Sequence, residues 1–137
     1  MKSHLSLFLV MLSIVLGGFV SADSSEDLTA PAAVNGWIVR PSDNICGIAD
    51  ARKISNPAKV DYEQLFESTP EIKEMRRQRI DPNSARGKQL RRAANELITK
   101  AAELVRRAGG HCGVWKAIRH TDRRTVPNIT DDVLSRF

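Results

Sequence analysis

The chain has 137 residues and a formal net charge of +5, with 27% of its residues charged. That is enough for one small domain and not two. After residue 22 no apolar run approaches the ~20 residues that a spanning helix needs.

Lys2 followed by the apolar run Leu5–Val20 and the small residues Val20-Ser21-Ala22 has the three parts of a secretory signal peptide. Cleavage is expected after Ala22, giving an exported, soluble mature chain that begins near Asp23. The segment 23–35 has little periodicity and reads as a flexible leader. A single α+β domain is expected over 36–137. Gly36–Arg40 and Ile45–Ala49 are β-prone, with Pro41-Ser42-Asp43-Asn44 as the turn between them. Asn56-Pro57 marks a break, and Lys59–Tyr62 is a further candidate strand leading into a helical turn at Glu63–Phe66.

Two helices follow. Ser68-Thr69-Pro70-Glu71 is a start signal, with Ser68 as the cap and Glu71 placed as a capping box requires. The first helix is expected to run to about Arg79. Pro82 interrupts it, Ser84 caps a second helix to Ala108, and Gly109-Gly110 ends that helix. Together they predict an inserted antiparallel helical hairpin at about 70–108. Cys112–Arg119 is a predicted strand, Thr125-Val126 a second, and Thr130 is placed as the cap of a final short helix.

The second long helix carries Leu90, Ala94, Leu97, Ala101, Leu104 and Ala108 at heptad spacing, with Ile98 and Val105 widening the stripe. This is the expected helix-packing seam. The first helix offers only Ile72 and Met75 to cover it, which predicts a sheet or other subunits over the rest, and hence a homo-oligomer.

Charge divides along the chain. From Asp23 to Ile72 there are nine acidic and four basic residues, and from Lys73 to Phe137 there are sixteen basic and seven acidic. A locally anionic partner or a solvated helix surface both fit that division. Cys46 and Cys112 form an even pair in an exported chain, which makes them candidates for a disulfide closing a loop of 66 residues. Two buried free thiols, or a zinc site with His111 and His120, are the alternatives. No C-x-x-C pair supports zinc, and no metal or cofactor is expected.

The sequence lacks the G-x-S-x-G, H-E-x-x-H, P-loop and G-x-G-x-x-G motifs, so an enzyme is not expected. Nucleic-acid binding is suggested by charge alone and is opposed by the export signal. Asn128-Ile129-Thr130 matches a glycosylation sequon, although helix capping by Thr130 is the preferred reading.

The motifs Ser68-Thr69-Pro70-Glu71-Ile72-Lys73 and Ile129-Thr130-Asp131-Asp132-Val133-Leu134, with the stretch Leu97–Val105 between them, resemble those of the Skp/OmpH family of periplasmic chaperones. The resemblance covers roughly 59–137. It implies a trimer whose β body, built with Val60, Val114 and Ile118, holds helical arms that bind unfolded outer-membrane proteins. Family arms are basic, and Arg76, Arg77, Arg79, Arg86, Lys88, Arg91 and Arg92 are then the candidates for contacting clients or an anionic membrane surface. The second helix would reach roughly 36 Å at 1.5 Å per residue and the first less than half of that, so a short-armed member is implied. The expectation is a periplasmic holdase without a cofactor. The alternative is a non-enzymatic envelope adaptor that keeps the scaffold and not client capture.

Overall fold

The computed structural model describes residues 31–137. The expected signal segment and residues 23–30 of the expected leader lie outside the described residues. Strand β4 (Gly113–Trp115) is buried throughout and sits at the centre of a three-stranded sheet. It pairs antiparallel with β2 (Asn44–Gly47) and parallel with β3 (Ala58–Lys59). A smaller antiparallel pair joins β1 (Trp37–Ile38) to β5 (Arg119–His120). Between β3 and β4 the chain forms three helices, α1 (Tyr62–Ser68), α2 (Pro70–Arg77) and α3 (Ala85–Ala108), and α4 (Thr130–Leu134) follows the last strand. The architecture is α+β, as expected.

Successive side chains on a strand face opposite sides of the sheet. On β4 this sends Val114 into a cluster with Ile98, Ala101, Ala102 and Val105 of α3, and Trp115 into a second cluster with Trp37, Ile54, Ile118 and Val126. The register shift between Asn44 and Cys46 places an extra residue in β2. Ile45 and Cys46 therefore both pack against the α3 cluster. A third cluster joins Ile72 and Met75 of α2 to Leu90 and Ala94 of α3. The sheet thus carries the C-terminal half of α3, and α2 covers the N-terminal half.

Local signals explain the helix ends, with some shifts from expectation. The Asp61 carboxylate accepts from the Gln64 N–H at 3.0 Å and starts α1. Thr69 caps α2 in place of Ser68, which is the last residue of α1. Its hydroxyl accepts from the Ile72 N–H at 3.4 Å and donates to the Phe66 carbonyl at 2.8 Å. α2 ends at Arg77, two residues short of expectation, in a Schellman closure. Ile80 N–H bonds the Met75 carbonyl, Arg79 N–H bonds that of Arg76, and Arg79 takes a left-handed φ of 53°. Ser84 caps α3 as expected, accepting from the Gly87 N–H at 3.0 Å. Gly87 is buried beneath the loop, where an added Cβ would run into the Asp81 carbonyl. The same closure ends α3, with Gly110 at φ +66°.

Three elements near the C-terminus differ from the sequence reading. The predicted strand Cys112–Arg119 is broken after Trp115 into β4 and β5, which pair in different sheets. Thr125-Val126 is not a strand, and Val126 is instead a core side chain below Trp115. Thr130 is the first residue of α4 and not its cap. Its hydroxyl accepts from the Asp61 N–H at 2.8 Å, tying α4 to the start of α1, while the Asn128 side chain accepts from the Thr130 N–H.

The packing seam also moves. Leu90, Ala94 and Ala101 are buried, but Leu97 is half-buried, Ala108 is exposed and Leu104 is 56% exposed. The buried stripe is Gly87, Leu90, Ala94, Ile98, Ala101, Ala102 and Val105. A straight helix with 3.6 residues per turn drifts about 20° per heptad, so a 3.5-residue stripe leaves the core within two heptads. Leu104 rotates into solvent, Ala108 is exposed as the last residue of the helix, and Ile98 and Val105 take the core positions. Ile98→Ala is therefore expected to cost about 2–5 kcal/mol. Leu104→Ala is expected to stay within about 0.5 kcal/mol. Urea unfolding of the two variants measures the difference, and equal losses would restore the heptad seam.

Candidate functional site

The predicted cationic residues gather at the turn between α2 and α3. Arg76 and Arg77 form the last turn of α2, where cations suit the helix dipole. Arg86 and Lys88 lie in the first turn of α3, where they oppose it, and no acidic residue accompanies them there. Arg91 and Arg92 follow one turn on, and all seven cations are exposed. Arg76 is paired with Glu67, and Arg86 bonds Glu74 at 3.0 Å, tying α3 back to α2. Among the described residues Arg77, Arg79, Lys88, Arg91 and Arg92 make no ion pair.

Three of the seven share one cleft. Arg76, Arg79 and Arg91 rim a space of about 520 Å³ whose apolar floor is Phe66, Ile72, Met75 and Ile80. Glu67 and Asp81 also line it. The Schellman closure is what brings Arg79 here, because the left-handed turn redirects the chain after Gln78. Arg77, Arg86, Lys88 and Arg92 lie outside this cleft, and Arg92 sits beside Asn95 and Thr99 on another flank. A cationic rim over an apolar floor can hold a polypeptide segment that mixes acidic and apolar side chains.

The two cysteines are separate. Both are free and not within disulfide distance, so the predicted bond between Cys46 and Cys112 is not formed. Cys46 on β2 faces the α3 cluster, whereas Cys112, just ahead of β4, packs against the Trp115 cluster. Strand register keeps them from opposing each other: Cys46 lies across from Val114, and Cys112 falls just before β4. Nor are they grouped with the histidines. His120 stacks edge-on against Trp37 and accepts from the Asp122 N–H, and among the described residues no three His, Cys, Asp or Glu side chains form a metal-type cluster.

Comparison of the chain with protein-family models, curated proteins and solved structures gives no match.

Cys46 is instead part of an electrostatic clasp that the sequence did not reveal. Glu103 accepts a fork from Arg106 at 2.7 Å through both oxygens and a further bond from Arg107 at 2.7 Å. Arg106 also donates to the His111 carbonyl at 2.9 Å, closing the chain that leaves α3. These donors, Arg106 first and Arg107 second, hold the Glu103 carboxyl down at about 2. Burial, reinforced by a hydrogen bond to Glu103, pushes the Cys46 thiol up to about 12. The thiol is then protonated at neutral pH and a poor nucleophile. The i, i+3 and i, i+4 spacing of Glu103 with Arg106 and Arg107 was legible in the sequence, but the approach of Cys46 required the sheet. A second set of cations, Arg40, Lys59, Lys116 and Arg119, was also missed, since it is scattered over three segments.

Two measurements check this clasp. At pH 8 the native protein is expected to alkylate at Cys46 at least tenfold more slowly than the unfolded chain, where the thiol regains its ordinary pKa near 8.5. Retained native reactivity would remove the clasp. A carboxyl with a lowered folded pKa stabilises the protein above its unfolded value and loses that contribution as pH falls through its folded value. The Tm advantage of the wild type over Glu103→Gln is therefore expected to be constant above pH 5 and to shrink between about 4.5 and about 2.

Proposed function

We propose that this chain is a non-enzymatic binding module of the bacterial envelope, an adaptor that seats an acidic, partly apolar segment of a partner protein in the α2–α3 cleft. The observation that carries this reading is the cleft itself: Arg76, Arg79 and Arg91 stand over Phe66, Ile72, Met75 and Ile80. One breach of local preference supports it. Arg79 adopts a left-handed conformation that favours glycine. Charges that do not serve the fold are candidates for recognition.

The adaptor reading is preferred to the holdase because the buried stripe of α3 is covered within the chain by α2 and the sheet. Helices held against the body offer a short cleft and not a cage. The holdase reading keeps one specific support, the cleft's apolar floor, which suits unfolded segments as well as folded ones. A periplasmic location and a Skp/OmpH-type ancestry remain part of the proposal and rest on the signal-like N-terminus and the two short motifs. A homo-oligomer, with a trimer as the family form, is proposed on the resemblance and on the part of the seam that stays exposed at Leu104 and Ala108.

Arg79→Gly separates binding from folding. Glycine takes the left-handed φ without strain, so stability is expected to rise by up to about 1 kcal/mol. Binding of a fluorescent peptide with alternating Glu and Leu is expected to weaken at least fivefold, and Arg91→Gln is expected to do the same. Unchanged affinity in both variants would overturn the cleft. Suppression of aggregation of an unfolded outer-membrane protein, lost in the same variants, would favour the holdase over the adaptor.

A further inference from the structure

Most cations with a fixed neighbour in this protein have a carboxylate: Arg52 pairs with Asp50, Arg76 with Glu67, Arg86 with Glu74, Arg106 and Arg107 with Glu103, and Arg124 with Asp122. The other described cations make no ion pair, and four of them gather in one place. Arg40, Lys59, Lys116 and Arg119 line a single cleft of about 460 Å³, together with Ile38 and Ile118, and Asp43 is the one acid in that lining. Among the described residues none of the four is in an ion pair.

Their placement is fixed by the sheet. Lys59 on β3 donates its N–H to the Pro127 carbonyl at 2.8 Å and accepts from the Ile129 N–H at 3.0 Å, so its backbone is held on both sides. Lys116 leaves the end of β4 and donates its N–H to the Asp43 carbonyl at 2.8 Å, which fastens the loop after Arg40. The Lys116 ammonium lies 4.0 Å from the centre of the Tyr62 ring. Arg119 begins β5 opposite Ile38. Four exposed like charges gathered around one cleft make it a region of positive potential.

We infer that the Arg40–Lys59–Lys116–Arg119 cleft is a binding site for a phosphate-bearing anion of at least two charges. The four cations less Asp43 leave a surplus that a single carboxylate would not neutralise. Two guanidinium groups offer the forked donors that suit phosphate oxygens, and the two ammonium groups add point charges. The volume lies within the roughly 300–1,000 Å³ typical of small-ligand clefts. Such a phosphate can come from a lipid headgroup or from a soluble phosphate ester. The inference is independent of the α2–α3 cleft, which lies on other residues.

The test titrates the full chain with inorganic pyrophosphate by calorimetry, and in parallel with vesicles of phosphatidylglycerol in phosphatidylcholine by sedimentation. Arg40→Gln/Arg119→Gln is expected to weaken pyrophosphate binding at least tenfold, and Lys59→Gln/Lys116→Gln to do likewise. Arg77→Gln/Arg92→Gln, which alters exposed cations elsewhere, is expected to change it less than twofold. Vesicle binding lost in the same two cleft variants supports the site with a lipid source. Pyrophosphate binding without vesicle binding supports it with a soluble ester. Equal affinity in the wild type and both cleft variants, equal losses in the control, or binding of neither probe would overturn it. Neutralising Asp23, Glu26 and Asp27 is expected to leave affinity within twofold. A tenfold gain would assign the cleft to the chain's own acidic segment and would also overturn the inference.

Discussion

The rest of the structure depends on the burial of β4 between two dissimilar neighbours. Gly113, Val114 and Trp115 are all inaccessible to solvent, so every backbone polar group they carry must be met by a neighbouring strand. β2 meets them from one side in antiparallel register and β3 from the other in parallel register. A parallel neighbour needs a long crossover, and the three helices between β3 and β4 supply it. The same strand divides the apolar side chains. Val114 faces α3 and Trp115 faces the β1–β5 layer, so one three-residue strand organises two cores.

From that arrangement the position of the helices follows. Only the C-terminal half of α3 lies over the sheet, through Ile98, Ala101, Ala102 and Val105. Its N-terminal half extends past the sheet and is stabilised by α2 through Leu90 and Ala94. The turn between α2 and α3 therefore lies beyond the part of α3 that packs on the sheet, and it is also where the least favourable local choices collect. Cations at the start of α3 and a left-handed arginine after α2 both weaken the element that carries them. The firm capping by Thr69 and Ser84 and the buried Gly87 offset those choices and keep the cleft in one shape.

The other end of α3 is built in the opposite sense. Arg106 and Arg107 complement the helix dipole, Glu103 bridges them, and Arg106 reaches the carbonyl of His111. The aliphatic part of Arg106 lies so close to Gly47 that a side chain there would collide with it. Burial, with a hydrogen bond to this carboxylate, keeps the Cys46 thiol protonated. A pair of cysteines that composition made candidates for a crosslink is thus held apart, with one thiol buried beside Glu103 and the other turned toward a different core.

Much of the fold was legible in the sequence because its cues are local. The Ser84 cap, the Gly109-Gly110 stop, the break at Pro82 and the pattern of α3 each depend on residues within one or two turns, and the α+β class follows from their order. The cationic hairpin was equally local, since Arg76 to Arg92 are close in the chain. Contacts between distant segments were not legible. The choice of Ile98 and Val105 over Leu104 and Ala108 depends on where the sheet lies beneath α3. The failure of Cys46 to meet Cys112 depends on strand register and a bulge. The gathering of Arg40, Lys59, Lys116 and Arg119 depends on three segments brought to one cleft by β4. The sequence by itself determined the order of the helices and the local signals that start or stop them at Ser84, Pro82 and Gly109-Gly110. Only the tertiary structure decided which faces meet, because register and burial are set by pairing across the chain.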